Sequence, residues 1–271
     1  MEPTNHRTEK PRLTRAQWKR RKRLRLARNW AILILVCAAI VFLMTRGILW
    51  LLPRVNALLA GQEDFEAASY DGTGYVFDAE DVRLVLVNGN LPYTEEPAPD
   101  LAAASIDGSI LLEAEAAAAW QQMTIAAQVD GVELVLIAGY EDADTRTAAY
   151  EARKQQYLDA HKQEAEAASL AAAIQPEGDS NEHGTGYAAD ILSTDYPDRD
   201  TGFAATRAYE WLTAYAAEYG FVLRYPQEHQ AATGVVFEPW HWRYVGVENA
   251  LAIRASGLSL EEFLAVQKAS N

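Results

Sequence analysis

The sequence predicts an α+β fold, a small, mainly antiparallel sheet flanked by helices, preceded by one transmembrane helix. Three observations carry this. Over residues 82–271, apolar runs of strand length alternate with longer stretches whose apolar residues recur at helical spacing. Turn signals separate them: Asn88-Gly89-Asn90, Asp130-Gly131 and Pro176-Glu177-Gly178. Upstream, Trp30 to Leu52 is an apolar run interrupted only by Arg46.

The N-terminal segments follow from charge and length. Residues 1–29 hold 11 Lys and Arg against Glu2 and Glu9, a net of +9. The 23 residues from Trp30 to Leu52 span roughly 34 Å as a helix, enough for a bilayer core of about 30 Å. Arg46 lies where its stem reaches the headgroups, and Trp30 and Trp50 fall at the expected interfaces. No small-x-small site follows the run, so it reads as an uncleaved anchor rather than a signal peptide. The cations ahead of it set the basic arm, 1–29, in the cytoplasm. Residues 53–81 mix Gly, Asp, Glu and Ala without a period and read as a stalk. Residues 82–271 are then an extracytoplasmic domain.

Composition narrows the function classes. The 271 residues are 49% hydrophobic and carry a net charge of −14, which excludes wholesale disorder. Beyond residue 29 there are 13 basic and 36 acidic residues, which argues against a nucleic-acid partner. Cys37 is the only cysteine, so neither an intramolecular disulfide nor a cysteine zinc site can form.

Within the outer domain, residues 82–88 are β-rich and end in a turn, and 91–100 read as loop. Leu112, Ala116, Trp120, Met123 and Ala127 predict a helix over 109–129. Residues 132–138, VELVLIA, predict a strand, and 142–174 one long helix or two. Ala208, Trp211, Leu212, Tyr215 and Tyr219 share one face of a helix over 203–219, with Gly220 as its cap. Short strands fit at 221–224, 234–238 and 242–245, and helices at 247–256 and 259–268.

Two of the five histidines stand in unusual surroundings. His183 precedes Asp190 by seven residues, and Gly184-Thr185-Gly186 lets the chain turn between them. His241 follows Glu238 by three residues. A regular strand would send that pair to opposite faces, but Pro239 favours a bend that brings them together. Two imidazoles and a carboxylate make a ligand set for catalytic zinc, and a second carboxylate can shuttle the proton of an attacking water. That inventory describes a metallopeptidase. Each piece alone also suits a packed core histidine.

The two segments together resemble a known family. NEHGTGYAAD resembles the SxHxxGxAxD motif of the VanY-type D-alanyl-D-alanine carboxypeptidases, and FEPWHWRYVG their ExWH motif. The likeness covers about residues 83–266. It implies a fold shared with lysostaphin-type peptidases and hedgehog domains. It implies zinc ligands His183, Asp190 and His241, with Glu238 as general base. The implied substrate is the C-terminal D-alanine of peptidoglycan stem peptides outside a bacterial membrane. Asn181 stands where the family has Ser and can still hydrogen-bond substrate; Tyr187, Trp240 and Arg224 are further candidate cleft residues. Where the family reads GYRSxxxQ, this chain reads GYEDADTR. Glu141 replaces the arginine and Arg146 the glutamine, so Arg146 either supplies the missing cation or pairs with helix neighbours. Two other functions share these motifs: an L,D-carboxypeptidase acting on tetrapeptides, and a non-catalytic wall-binding module.

Overall fold

The computed structural model describes residues 81–93 and 98–270, together with Leu26 and Trp30. The basic arm, the apolar span 30–52 and the stalk otherwise lie outside the described residues. Leu26 and Trp30 are helical and exposed. Among the described residues no helix is long and apolar enough to cross a membrane.

A hairpin opens the domain. β1 (Leu101–Ala103) pairs antiparallel with β2 (Leu111–Glu113), and α1 (Ala114–Val129) follows directly. Ala116, Trp120, Met123 and Ala127 bury one face of α1 as their spacing predicts, but the helix begins at 114 and Leu112 belongs to β2. Asp130 caps α1, and Gly131 at φ 73° turns the chain into β3 (Leu134–Ala138).

The 142–174 region is two helices, α2 (Ala143–Asp159) and α3 (Glu164–Ala172), broken at His161, whose φ is 63°. Next come β4 (Ala188–Ser193), α4 (Arg207–Tyr215) and β5 (Phe221–Leu223). Ala208, Trp211 and Leu212 of α4 are buried, whereas Tyr215 is 44% exposed, contrary to its expected place on the buried face. Gly220 takes the left-handed cap conformation that its position predicts. A single helical turn, α5 (Gln230–Thr233), precedes β6 (His241–Tyr244), and α6 (Val247–Ser256) and α7 (Leu260–Ser270) close the chain.

β3, β4, β6 and β5 form one sheet in that order, antiparallel throughout. Two expected strands are absent from it. Residues 82–88 begin as a 3₁₀ turn, Val82–Leu84, and the Arg243 guanidinium takes the carbonyls of Arg83 and Val85 that a ladder would use. Residues 234–238 run irregularly after Gly234, whose φ is 73°.

The two faces of the sheet differ in kind. Ile191, Trp242, Tyr244 and Phe221 point into a core shared with α1 and α4. The opposite face carries Asp190, His241 and Arg243, alternate residues of β4 and β6. Beside that charged row, Val222, Val245, Ile253 and Phe263 make a second, smaller core under α6 and α7.

Candidate metal centre

Asp190 and His241 are direct cross-strand partners on β4 and β6. That register places residues 51 apart in sequence on one face at contact distance. His241 stands where it does because the chain bends at Pro239. The His241 N–H donates to the Glu238 carbonyl at 3.1 Å, closing a turn with Pro239 and Trp240 at its centre. The same turn brings Glu238 Oε2 to 3.8 Å from His241 Nδ1.

His183 arrives on a 3₁₀ turn, Glu182–Thr185. The Asn181 side chain caps it, accepting from the His183 N–H at 3.0 Å. Gly186, at φ 73°, then turns the chain into β4. His183 Nδ1 lies 2.6 Å from the Gly139 carbonyl, which can only accept, so Nδ1 carries the proton. Nε2 faces Asp190 Oδ1, 3.4 Å away. Gly139 is required here, since a Cβ would sit 2.2 Å from the Leu111 carbonyl oxygen.

His183, Asp190 and His241 are all buried, and one ligand-type atom from each lies within 4.8 Å of the others. His241 Nδ1 is 3.1 Å from Asp190 Oδ1, the same oxygen that faces His183. A tetrahedral ion with bonds of about 2.1 Å has ligand–ligand edges of about 3.4 Å, and the two separations from Asp190, 3.4 and 3.1 Å, match it. Glu238 Oε1 is buried without a hydrogen-bond partner among the described residues, and the two Asp190 oxygens meet His183, His241 and Arg199 only as ion-pair contacts. Such atoms are costly unless a cation or water meets them.

The electrostatics point the same way. Burial opposes ionisation of Asp190, but the His183 and Arg199 charges hold its carboxyl well below the usual range. Burial alone would lower His241; the Asp190 and Glu182 carboxylates instead raise it to about 9. The carboxylates thus retain a proton where a dication would be better placed. Burial pushes Glu238 up to about 7, with Asp190 adding to the rise and His241 opposing it. A carboxyl poised there can both take and return a proton near neutral pH.

A buried ion network lies beneath the centre. Arg224 donates to Glu182 at 2.7 Å and to both oxygens of Glu261 at 2.6 and 2.8 Å. Arg243 reaches Glu182 at 3.1 Å, and Glu182 Oε2 stands 3.6 Å from His241 Nε2. Arg224 is therefore not a cleft residue, because it is buried, its nitrogens are held by Glu182 and Glu261, and its guanidinium lies over the Tyr225 ring at 4.8 Å. Tyr187 is also core, stacked on Tyr244 at 6.2 Å. Trp240 is buried with its ring under the Arg199 guanidinium, 5.6 Å away.

Arg146 is 1% exposed. Its Nε donates to the Gly178 carbonyl at 2.8 Å and its Nη1 to the Glu141 carbonyl. The guanidinium covers Gly184, where a Cβ would lie 2.5 Å from it. It is buried rather than on the helix surface, and it braces the turn that presents His183. Sequence reasoning missed Glu182, Arg199 and Tyr225, whose ring is 4.8 Å from the His241 ring. Adjacency to His183 was the one available signal for Glu182; Arg199 and Tyr225 had none.

Residues 109–247 match the family model described as VanY, D-alanyl-D-alanine carboxypeptidase. The chain is 29% identical over 191 residues to a D-alanyl-D-alanine carboxypeptidase of Enterococcus faecalis, covering 70% of this chain and 69% of the relative. It is similar to a crystal structure of a mutant vancomycin-resistance D,D-pentapeptidase VanY in complex with Zn(II). The TM-score is 0.61 at 29% identity, over 68% of this chain and 99% of that one. It is also similar to the LdcB LD-carboxypeptidase, with a TM-score of 0.59 at 29% identity over 67% of this chain and 85% of that one.

Proposed function

The chain belongs to the VanY D-alanyl-D-alanine carboxypeptidase family of hydrolases, and on that premise we propose that it is a membrane-anchored zinc D,D-carboxypeptidase that removes the terminal D-alanine from peptidoglycan stem peptides. The observation that carries the reading is the buried trio His183, Asp190 and His241, whose ligand-type atoms lie within 4.8 Å of one another beside Glu238. The Zn(II) complex of the similar VanY structure supports zinc as the ion.

His183 would hold zinc through Nε2, Asp190 through Oδ1 and His241 through Nδ1. When bound, zinc supplies a Lewis acid that polarises the peptide carbonyl and acidifies water. Glu238 takes the proton of the attacking water. It returns that proton to the nitrogen of the departing D-alanine, so it ends the cycle as it began. The Gly139 carbonyl fixes the His183 tautomer, and Glu182 stands ready behind His241. Arg146 positions the His183 turn. Asn181 holds the same turn through its cap, and Trp240 lines the centre on the Arg199 side.

The charge pattern supports placement: a cytoplasmic arm at 1–29, a span at 30–52, a stalk at 53–81 and a peptidase domain, 82–271, facing the wall. The LdcB likeness favours one second reading, an L,D-carboxypeptidase acting on tetrapeptide stems. The full-length protein in detergent, loaded with zinc, should release D-alanine from a pentapeptide ending in D-Ala-D-Ala and stop when chelator is added. Release from the tetrapeptide alone would establish the second reading. Release that ignores chelator would defeat both.

A further inference from the structure

Removing only the last residue of a peptide requires a cation that reads the free carboxylate. In a peptide, that carboxylate lies about one residue length, roughly 3.8 Å, beyond the carbonyl being cut. The cation must therefore stand next to the metal ligands and be reachable from solvent. Among the described residues, four arginines are bonded to the centre or to the turns that frame it; Arg153 of α2 acts on Glu238 only as a more distant charge and is engaged with Gln156. Arg146, Arg224 and Arg243 are each at most 1% exposed and are engaged with backbone carbonyls or carboxylates.

Arg199 differs. Its side chain is 41% exposed, yet its Nη2 is 3.0 Å from Asp190 Oδ2. The Asp190 carboxylate is thus divided, Oδ1 toward the two histidines and Oδ2 toward Arg199. The guanidinium lies over the Trp240 ring at 5.6 Å. The loop that carries it is tied, because the Tyr196 hydroxyl donates to Asp200 Oδ1 at 2.7 Å and the same oxygen accepts from the Gly202 N–H at 2.8 Å. The cation is held in place before a ligand arrives, with donors left over.

We propose that Arg199 receives the C-terminal carboxylate of the substrate, one nitrogen on Asp190 and the rest of its fork on the peptide, and so restricts cleavage to the terminal residue. This rests on the carboxypeptidase reading above. Trp240 supports the guanidinium from below.

The test compares two peptides ending in D-Ala-D-Ala, one a free acid and one a C-terminal amide, on the zinc-loaded full-length protein. Arg199→Ala should lower kcat/KM for the acid roughly 10- to 100-fold, chiefly through KM, because a charge-assisted fork is lost. The amide should change little, zinc content should stay the same, and Arg199→Lys should recover part of the loss. Calorimetry of both peptides on Glu238→Gln, with and without Arg199→Ala, reads the acid-over-amide preference without turnover. Retention of that preference in Arg199→Ala overturns the proposal, as does its absence when Arg199 is present. An equal fall for acid and amide with loss of zinc would also overturn it, by making Arg199 a support for Asp190. Failure of the carboxypeptidase reading itself would show separately, as no D-alanine released while acid is still preferred in binding.

Discussion

The two faces of the four-stranded sheet bury similar strands in opposite ways. One face sets Ile191, Trp242 and Phe221 against the apolar sides of α1 and α4. The other sets Asp190, His241 and Arg243 over a buried lattice of Glu182, Arg224 and Glu261. Burial of apolar surface stabilises the first directly, at about 25 cal/mol per Å². The second gains little net stability from its ion pairs, since desolvation offsets most of their attraction. What the lattice provides is position. Glu182 is fixed from two sides by arginines and so stands 3.6 Å from His241. The larger apolar core and the site geometry are therefore assigned to different faces of the same strands.

Substitutions should separate the two. Glu182→Ala leaves Arg224 and Arg243 without a shared carboxylate and should cost about 3–5 kcal/mol in denaturant unfolding. It should also weaken zinc binding, measured by competition with a chelating dye. Met123→Ala, in the apolar core, should cost about 3 kcal/mol by cavity formation while the folded fraction binds zinc as before. Equal effects of both on zinc would dissolve the distinction between the faces.

Gly184→Ala probes the brace behind His183. The new methyl would meet the Arg146 guanidinium at 2.5 Å, so the arginine must move. Unfolding should register a loss of about 1–3 kcal/mol. Combining it with Arg146→Ala should give less than the sum of the two single losses, and strict additivity would mean that the two residues do not interact.

Acidity provides a gentler probe. In the metal-free centre His241 is raised to about 9, so at neutral pH it is protonated and must lose that proton to bind zinc. Affinity should rise with pH, about tenfold per unit for the one proton, and level off above about 9. Calorimetry in buffers of different ionisation enthalpy counts the protons released; none at neutral pH would contradict the assignment.

The apolar face was legible because its residues repeat locally. Trp120, Met123 and Ala127 mark α1, and Trp211 and Leu212 mark α4. The period misled where segments abut: Leu112 is in phase with Ala116 yet lies in β2, and α1 starts only two residues later. β4 went unseen because Ala188-Ala189-Asp190 has little β-propensity; pairing on both sides makes it a strand. The candidate ligands were legible because His183 to Asp190 and Glu238 to His241 are short spacings with glycines or a proline to bend them. The lattice was not, since Arg224 meets Glu182 and Glu261 across 42 and 37 residues. Arg199 was hidden for the same reason: its partner is set by the fold, and its neighbours Asp198 and Asp200 suggest only a solvated loop.

In the proposed reaction Glu238 moves the proton while His183, Asp190 and His241 hold the metal. Glu238→Gln tests it most directly, with zinc content and D-alanine release measured on the same preparation. Zinc should be bound as in the unaltered protein, with turnover lower by about 10²–10⁴-fold. Turnover within a few-fold of the unaltered protein, with zinc still bound, would contradict it.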